Sequence, residues 1–247
     1  LFSLVIAAAI TPTAVAVDGA DAPQPLEASL RDDAALSAVC FVNLAEGWAV
    51  GDRGVIWHTR DGGNTWQQQA SHVQCSLYGV FFLDAARGWA AGGANKPYAS
   101  ASAGVLLQTG DGGANWSAVS AAESLPALKG VRFFNAELGV AFGAAAPTSP
   151  SGAFATRDGG RSWQPLACDG AGPWLAGDFV DAGGGALAGA NGRFATVAGG
   201  LVKSSPRAAG SLRSLNALRL VAPTSGWLVG DGGFVATTND LGRSWQA

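Results

Sequence analysis

One eight-residue pattern recurs along this 247-residue chain and constrains its fold more than any other feature. It appears as Thr59-Arg-Asp61-Gly-Gly63-Asn-Thr65-Trp66, Thr109-Gly-Asp111-Gly-Gly113-Ala-Asn115-Trp116, Thr156-Arg-Asp158-Gly-Gly160-Arg-Ser162-Trp163 and Thr238-Asn-Asp240-Leu-Gly242-Arg-Ser244-Trp245. The aspartates are 50, 47 and 82 residues apart. The last interval is two periods of about 41, so a further copy is expected between them. Phe194-Ala-Thr196-Val-Ala198-Gly-Gly200 is that copy in decayed form, with the glycines kept and the aspartate and tryptophan lost.

A second element precedes each box. Gly47-Trp48-Ala-Val-Gly51 matches Gly88-Trp89-Ala-Ala-Gly92, Gly139-Val140-Ala-Phe-Gly143 and Gly226-Trp227-Leu-Val-Gly230. Upstream lies an alternating apolar stretch: Val39-Cys-Phe41, Val80-Phe-Phe82, Val131-Arg-Phe133 and Leu218-Arg-Leu220. Each repeat therefore reads as four short strands divided by Gly, Asp and Asn turns. About 41 residues and four strands per unit describe a β-propeller blade. The predicted fold is all-β, with repeats at 36–76, 77–127, 128–173, 174–214 and 215–247. Five repeats with a cut-off fifth box fit part of a six- or seven-bladed ring better than a closed one, because an open arc leaves strand edges exposed.

The box residues have a mechanical reading. Asp61, Asp111, Asp158 and Asp240 can accept backbone amides across the turn. Gly63, Gly113, Gly160 and Gly242 permit the bend. Trp66, Trp116, Trp163 and Trp245 supply bulk to a chain with 36 glycines. Aspartates repeated once per blade stand far apart around a ring. They cannot flank one glycosidic bond at the ~5–9 Å that hydrolysis requires, so no catalytic residue is assigned.

Outside the repeats, residues 1–16 read as the remnant of a secretory signal, with an apolar run and Ala14-Val15-Ala16 as a small-x-small site. Residues 17–35 read as a linker or closing strand. An exported location follows, periplasmic or secreted, with membrane association only through an uncleaved signal or a partner. A net charge of −3 and no basic run exclude electrostatic capture of nucleic acid. Cys40, Cys75 and Cys168 fit no zinc spacing, and His58 and His72 are the only histidines, so neither metal nor cofactor is expected. Cys40 and Cys75 are the nearest pair in sequence for a bridge, with nothing to place them in bonding reach.

The run Gly47-Trp-Ala-Val-Gly-Asp-Arg-Gly-Val-Ile-Trp-His-Thr-Arg-Asp-Gly-Gly-Asn-Thr-Trp66 resembles the Asp-box (BNR) propellers. It is most similar to the photosystem II assembly and stability factor family, whose element is G-W-x-V-G-x-x-G-x-I-x-x-T-x-D-G-G-x-T-W. Gly226 to Trp245 matches nearly as well. The resemblance implies an exported, non-enzymatic scaffold. Its partner would be a membrane-protein subunit or extracytoplasmic tail, in the thylakoid lumen of a photosynthetic host, bound at an arginine-lined patch that no local motif here fixes. Sialidases and xyloglucanases share the box, which keeps a glycoside hydrolase fragment as one alternative. A structural repeat module of a larger surface protein is another.

A docking face is expected where the loops joining second and third strands gather with the connections between blades. Arg53, Lys96, Tyr98, Arg193 and Asp231 fall on those loops and form a candidate partner-binding rim, with arginine and tyrosine as anchors. Arg60, Arg157, Arg161 and Arg243 lie within or beside the boxes, where they solvate outer hairpins.

Overall fold

The structure is a computed structural model and describes residues 33–95, 102–205, 210, 212–221 and 224–247. The signal remnant and most of the linker expected from the sequence lie outside the described residues, as do Lys96 and Tyr98.

The first blade is an antiparallel meander of β1 (Leu36–Phe41), β2 (Gly47–Gly51), β3 (Ile56–Thr59) and β4 (Gln67–Gln69). The second repeats it with β5 (Ser76–Phe82), β6 (Gly88–Asn95), β7 (Ser102–Thr109) and β8 (Ser117–Ala118). The third contains β9 (Leu128–Phe133), β10 (Gly139–Gly143), β11 (Ala153–Thr156) and β12 (Gln164–Pro165). In the fourth, β13 (Ala167–Cys168) precedes β14 (Ala176–Asp181), β15 (Gly184–Ala188), β16 (Phe194–Ala198) and β17 (Leu201–Ser205). The fifth has β18 (Leu215–Val221), β19 (Ser225–Gly230) and β20 (Phe234–Thr238), and a bridge from Thr237 to Gln246 begins its outer edge. First strands of successive blades lie side by side, β1 by β5, β5 by β9, β9 by β14 and β14 by β18. They form the innermost layer of a β-propeller.

Each intact box folds as its chemistry requires. Asp61 Oδ1 accepts the Thr65 amide and the Thr59 hydroxyl, both at 2.8 Å, and Oδ2 accepts the Thr65 hydroxyl at 2.6 Å. Asp111, Asp158 and Asp240 repeat this set. The residue after each aspartate takes positive φ: Gly62, Gly112 and Gly159 in three boxes, Leu241 (φ 60°) in the fourth. The decayed copy makes a tight Gly199-Gly200 turn into β17. There β13 adds in parallel, Ala167 opposite Leu201, and thickens the blade to five strands.

Four apolar clusters fill the four seams between blades. In the first seam Trp48 lies between His58 and Phe82, stacked on both. In the second, Trp89 stacks on Phe133. Each of those phenylalanines also receives the edge of its own blade's box tryptophan, Trp116 or Trp163. The third seam replaces tryptophan with Val140 and fills with Phe142, Phe179 and the fully buried Trp174. Cys40, Cys75 and Cys168 are free thiols, so no bridge joins the first two.

Candidate functional site

Arg53, Arg193 and Asp231 all sit on the connections between second and third strands, in or beside the short 3-10 turns Asp52–Gly54, Ala190–Gly192 and Asp231–Gly233. They are not equivalent positions. Arg53 takes the left-handed slot also held by Asn191 and Gly232. Arg193 follows its turn and points back, donating from Nη1 to the carbonyls of Ala171 and Gly172 on the connection between blades 3 and 4. The Asp231 carboxylate accepts from Asn216 Nδ2 at 2.6 Å. Arg193 and Asp231 are thus each engaged with the strand connection of their own neighbourhood.

A different constellation stands on the innermost strands. The residue paired across from the second position of strand two is Cys40 (opposite Trp48), Phe81 (Trp89), Arg132 (Val140), Asp178 (Ala186) and Arg219 (Trp227). This is one equivalent position per blade, five in all, arranged about the axis. It lies near the turn that joins first and second strands, at the opposite end of that hairpin from the loops of Arg53, Arg193 and Asp231.

Asp178 organises the cluster. Its carboxylate accepts Arg132 Nη1 at 2.6 Å, the Phe179 amide at 3.0 Å and the Leu220 amide at 2.8 Å, and Arg219 Nη1 lies 3.5 Å away. The Asp178 side chain is 6% exposed, whereas Arg132 and Arg219 are 30% and 42% exposed. A buried carboxylate needs such partners, because an unpaired one is costly. One negative charge therefore faces two guanidinium groups that remain open to solvent, and the local balance is positive. Arg132 also lies 5.9 Å from the ring centres of Phe81 and Phe134, within cation–π range.

The cationic field extends across the axis. Burial pushes the Cys40 thiol up from its ordinary value, its hydrogen bond with the Phe82 backbone pulls it down, and so do the charges of Arg219 and Arg132. Blade 1 and blade 5 thus sense one another electrostatically at this level. Among the described residues no group of three or more His, Cys, Asp or Glu side chains could hold a metal ion. The arrangement can neutralise an anionic group and present flat aromatic surface beside it.

Sequence reasoning quoted Val131-Arg-Phe133 and Leu218-Arg-Leu220 as strand signals without reading the middle residue as functional. The signal was available: both arginines occupy the same repeat position, as does Asp178 in the decayed repeat.

Residues 19–183 match the family described as photosynthesis system II assembly factor YCF48. A 138-residue stretch is 30% identical to the photosystem II assembly lipoprotein Ycf48 of Synechococcus sp. (strain CC9902), covering 54% of this chain and 37% of that protein. The alignment thus spans little more than a third of the relative's length. Among solved structures, YCF48 bound to D1 peptide superposes with a TM-score of 0.64 at 20% identity, over 87% of this chain and 68% of that one. YCF48 from Cyanidioschyzon merolae gives 0.59 at 19%, over 91% and 86%. The GH74 enzyme of Niastella koreensis gives 0.65 at 13%, over 85% and 38%. At these identities the structural likenesses speak to the fold alone.

Proposed function

Because the chain belongs to the photosynthesis system II assembly factor YCF48 family, we propose that it is a non-catalytic docking propeller for an extracytoplasmic segment of a photosystem II subunit such as D1. The observation that carries this reading is the axial cluster, in which Arg132 and Arg219 share the single carboxylate of Asp178. Half-exposed arginines held in place by a buried anchor are suited to charge-assisted hydrogen bonds with a peptide carboxylate. Phe81 and Phe134 beside Arg132 offer apolar contact to the same segment. The solved YCF48 with a D1 peptide supports the class of partner. The lipoprotein relative supports a location outside the cytoplasm, periplasmic or lumenal.

The likeness to a GH74 enzyme does not favour hydrolysis in our reading. General acid chemistry needs a carboxyl group with a proton to give. Asp178 is the carboxylate at the axial position, and two arginines and two amides occupy it. The box aspartates spend their oxygens on their own turns.

The Arg53, Arg193 and Asp231 rim is kept as a second docking face, with Lys96 and Tyr98. Peptide binding to Arg132→Ala/Arg219→Ala and to Arg53→Ala/Arg193→Ala variants separates the two faces. Loss confined to the first supports the axial site, and loss confined to the second moves the partner to the rim.

A further inference from the structure

The seam between blades 4 and 5 is built like the first seam but lacks its central part. In the first seam Trp48 is fully buried, with the His58 ring centre 4.6 Å and the Phe82 ring centre 3.5 Å from its own. Its Nε1 donates to the carbonyl of Gly112, in the box of the next blade, at 3.0 Å. The register of blade 4 places Ala186 at the Trp48 position and Thr196 at the His58 position: Ala186 pairs with Thr196 as Trp48 pairs with His58. A methyl group cannot reach where an indole reaches. The box residue equivalent to Gly112 is Leu241, and among the described residues its carbonyl receives no comparable donor.

What stands there is a cleft of about 390 Å³. Blade 4 contributes Val180, Gly185, Thr196 and Val197, and the blade 5 box contributes Leu241 and Arg243. That volume lies at the lower end of sites that hold small organic groups, about 300–1,000 Å³. Its floor is glycine-rich, and a Cβ placed on Gly199 would meet nothing within 4 Å. Flat walls, a backbone acceptor and a guanidinium at the mouth suit a planar ring with an N–H donor.

We propose that this cleft is a docking subsite for a tryptophan side chain of a partner polypeptide, which completes the seam as Trp48 completes the first. The indole N–H faces the Leu241 carbonyl, and Arg243 flanks the ring. The site is separate from the axial arginines, although Val180 lies two residues beyond Asp178 on the same strand.

The test titrates N-acetyl-tryptophanamide into the full chain, observed by NMR and calorimetry. Saturable binding is expected, with at least tenfold weaker binding of N-acetyl-leucinamide. Ala186→Trp fills the cleft from within and Thr196→Phe narrows it, and each should weaken binding at least tenfold with the near-ultraviolet dichroism of a folded propeller retained. Arg132→Ala/Arg219→Ala should bind the probe as the parent does. Absence of saturable binding overturns the proposal. So does equal binding of the leucine probe, unaltered binding by both folded cleft variants, or loss in the axial double variant, which would place the probe at the axis.

Discussion

Trp48 stacks on Phe82 across the first seam with ring centres 3.5 Å apart and planes within 9° of parallel. The contact joins strand two of one blade to strand one of the next, and Trp89 with Phe133 repeats it at 3.8 Å and 10°. The two pairs explain why a chain so rich in alanine and glycine packs well. Each blade sends one large ring into its neighbour, and the small residues let the sheets approach.

Trp48→Ala removes a fully buried indole together with its hydrogen bond to Gly112. The expected cost is about 3–5 kcal/mol, read as a lower urea midpoint. Trp227 holds the same repeat position on blade 5 but is 54% exposed. Trp227→Ala should change stability by no more than about 0.5–1 kcal/mol.

The exposure of Trp227 has a spectroscopic consequence of its own. Acrylamide should quench one red-shifted tryptophan component readily, and Trp227→Phe should remove that component. The buried Trp48, Trp89 and Trp174 should stay protected.

Acid should act on the boxes. Hydrogen bonds from the side chain and amide of Thr65 hold the Asp61 carboxyl at about 2, and the corresponding bonds from Asn115, Ser162 and Ser244 do the same for Asp111, Asp158 and Asp240. A folded-state value below the unfolded one gives stability that is fully present above about pH 4 and lost as pH falls toward 2. Carboxyl carbon NMR should find four midpoints near 2. Midpoints near 4 would contradict the hydrogen-bonded boxes.

The boxes and the Gly-Trp-x-x-Gly strands were legible because they are local. A turn with positive φ after Asp61 or Asp111 and a carboxylate spanning four residues leave a fixed spelling. The axial cluster joins Arg132 to Asp178 and Asp178 to Leu220, over 46 and 42 residues, so no single segment spells it out. Only aligning repeat against repeat brings Arg132, Asp178 and Arg219 into one column. The parallel addition of β13 to β17 was hidden for a related reason, since two residues of strand carry too little pattern to read. Ala186 shows the limit most clearly: a missing tryptophan in a decayed repeat looks like drift until the neighbouring blade is seen beside it.

Asp178→Asn keeps the size of the side chain and removes its charge. Arg132 and Arg219 then face each other without the shared carboxylate, while the Leu220 amide keeps an acceptor. The expected destabilisation is about 1–3 kcal/mol, smaller in high salt because screening weakens the repulsion. A loss that does not respond to salt would assign Asp178 a packing role only.

The most direct test of the account is the affinity of a labelled D1 peptide for the full chain, followed by fluorescence anisotropy at low and high salt. Binding should weaken as salt rises, and Arg132→Ala/Arg219→Ala should reduce affinity at least tenfold with the fold intact. Unchanged affinity in that double variant would contradict the assignment of the axial arginines as the docking site.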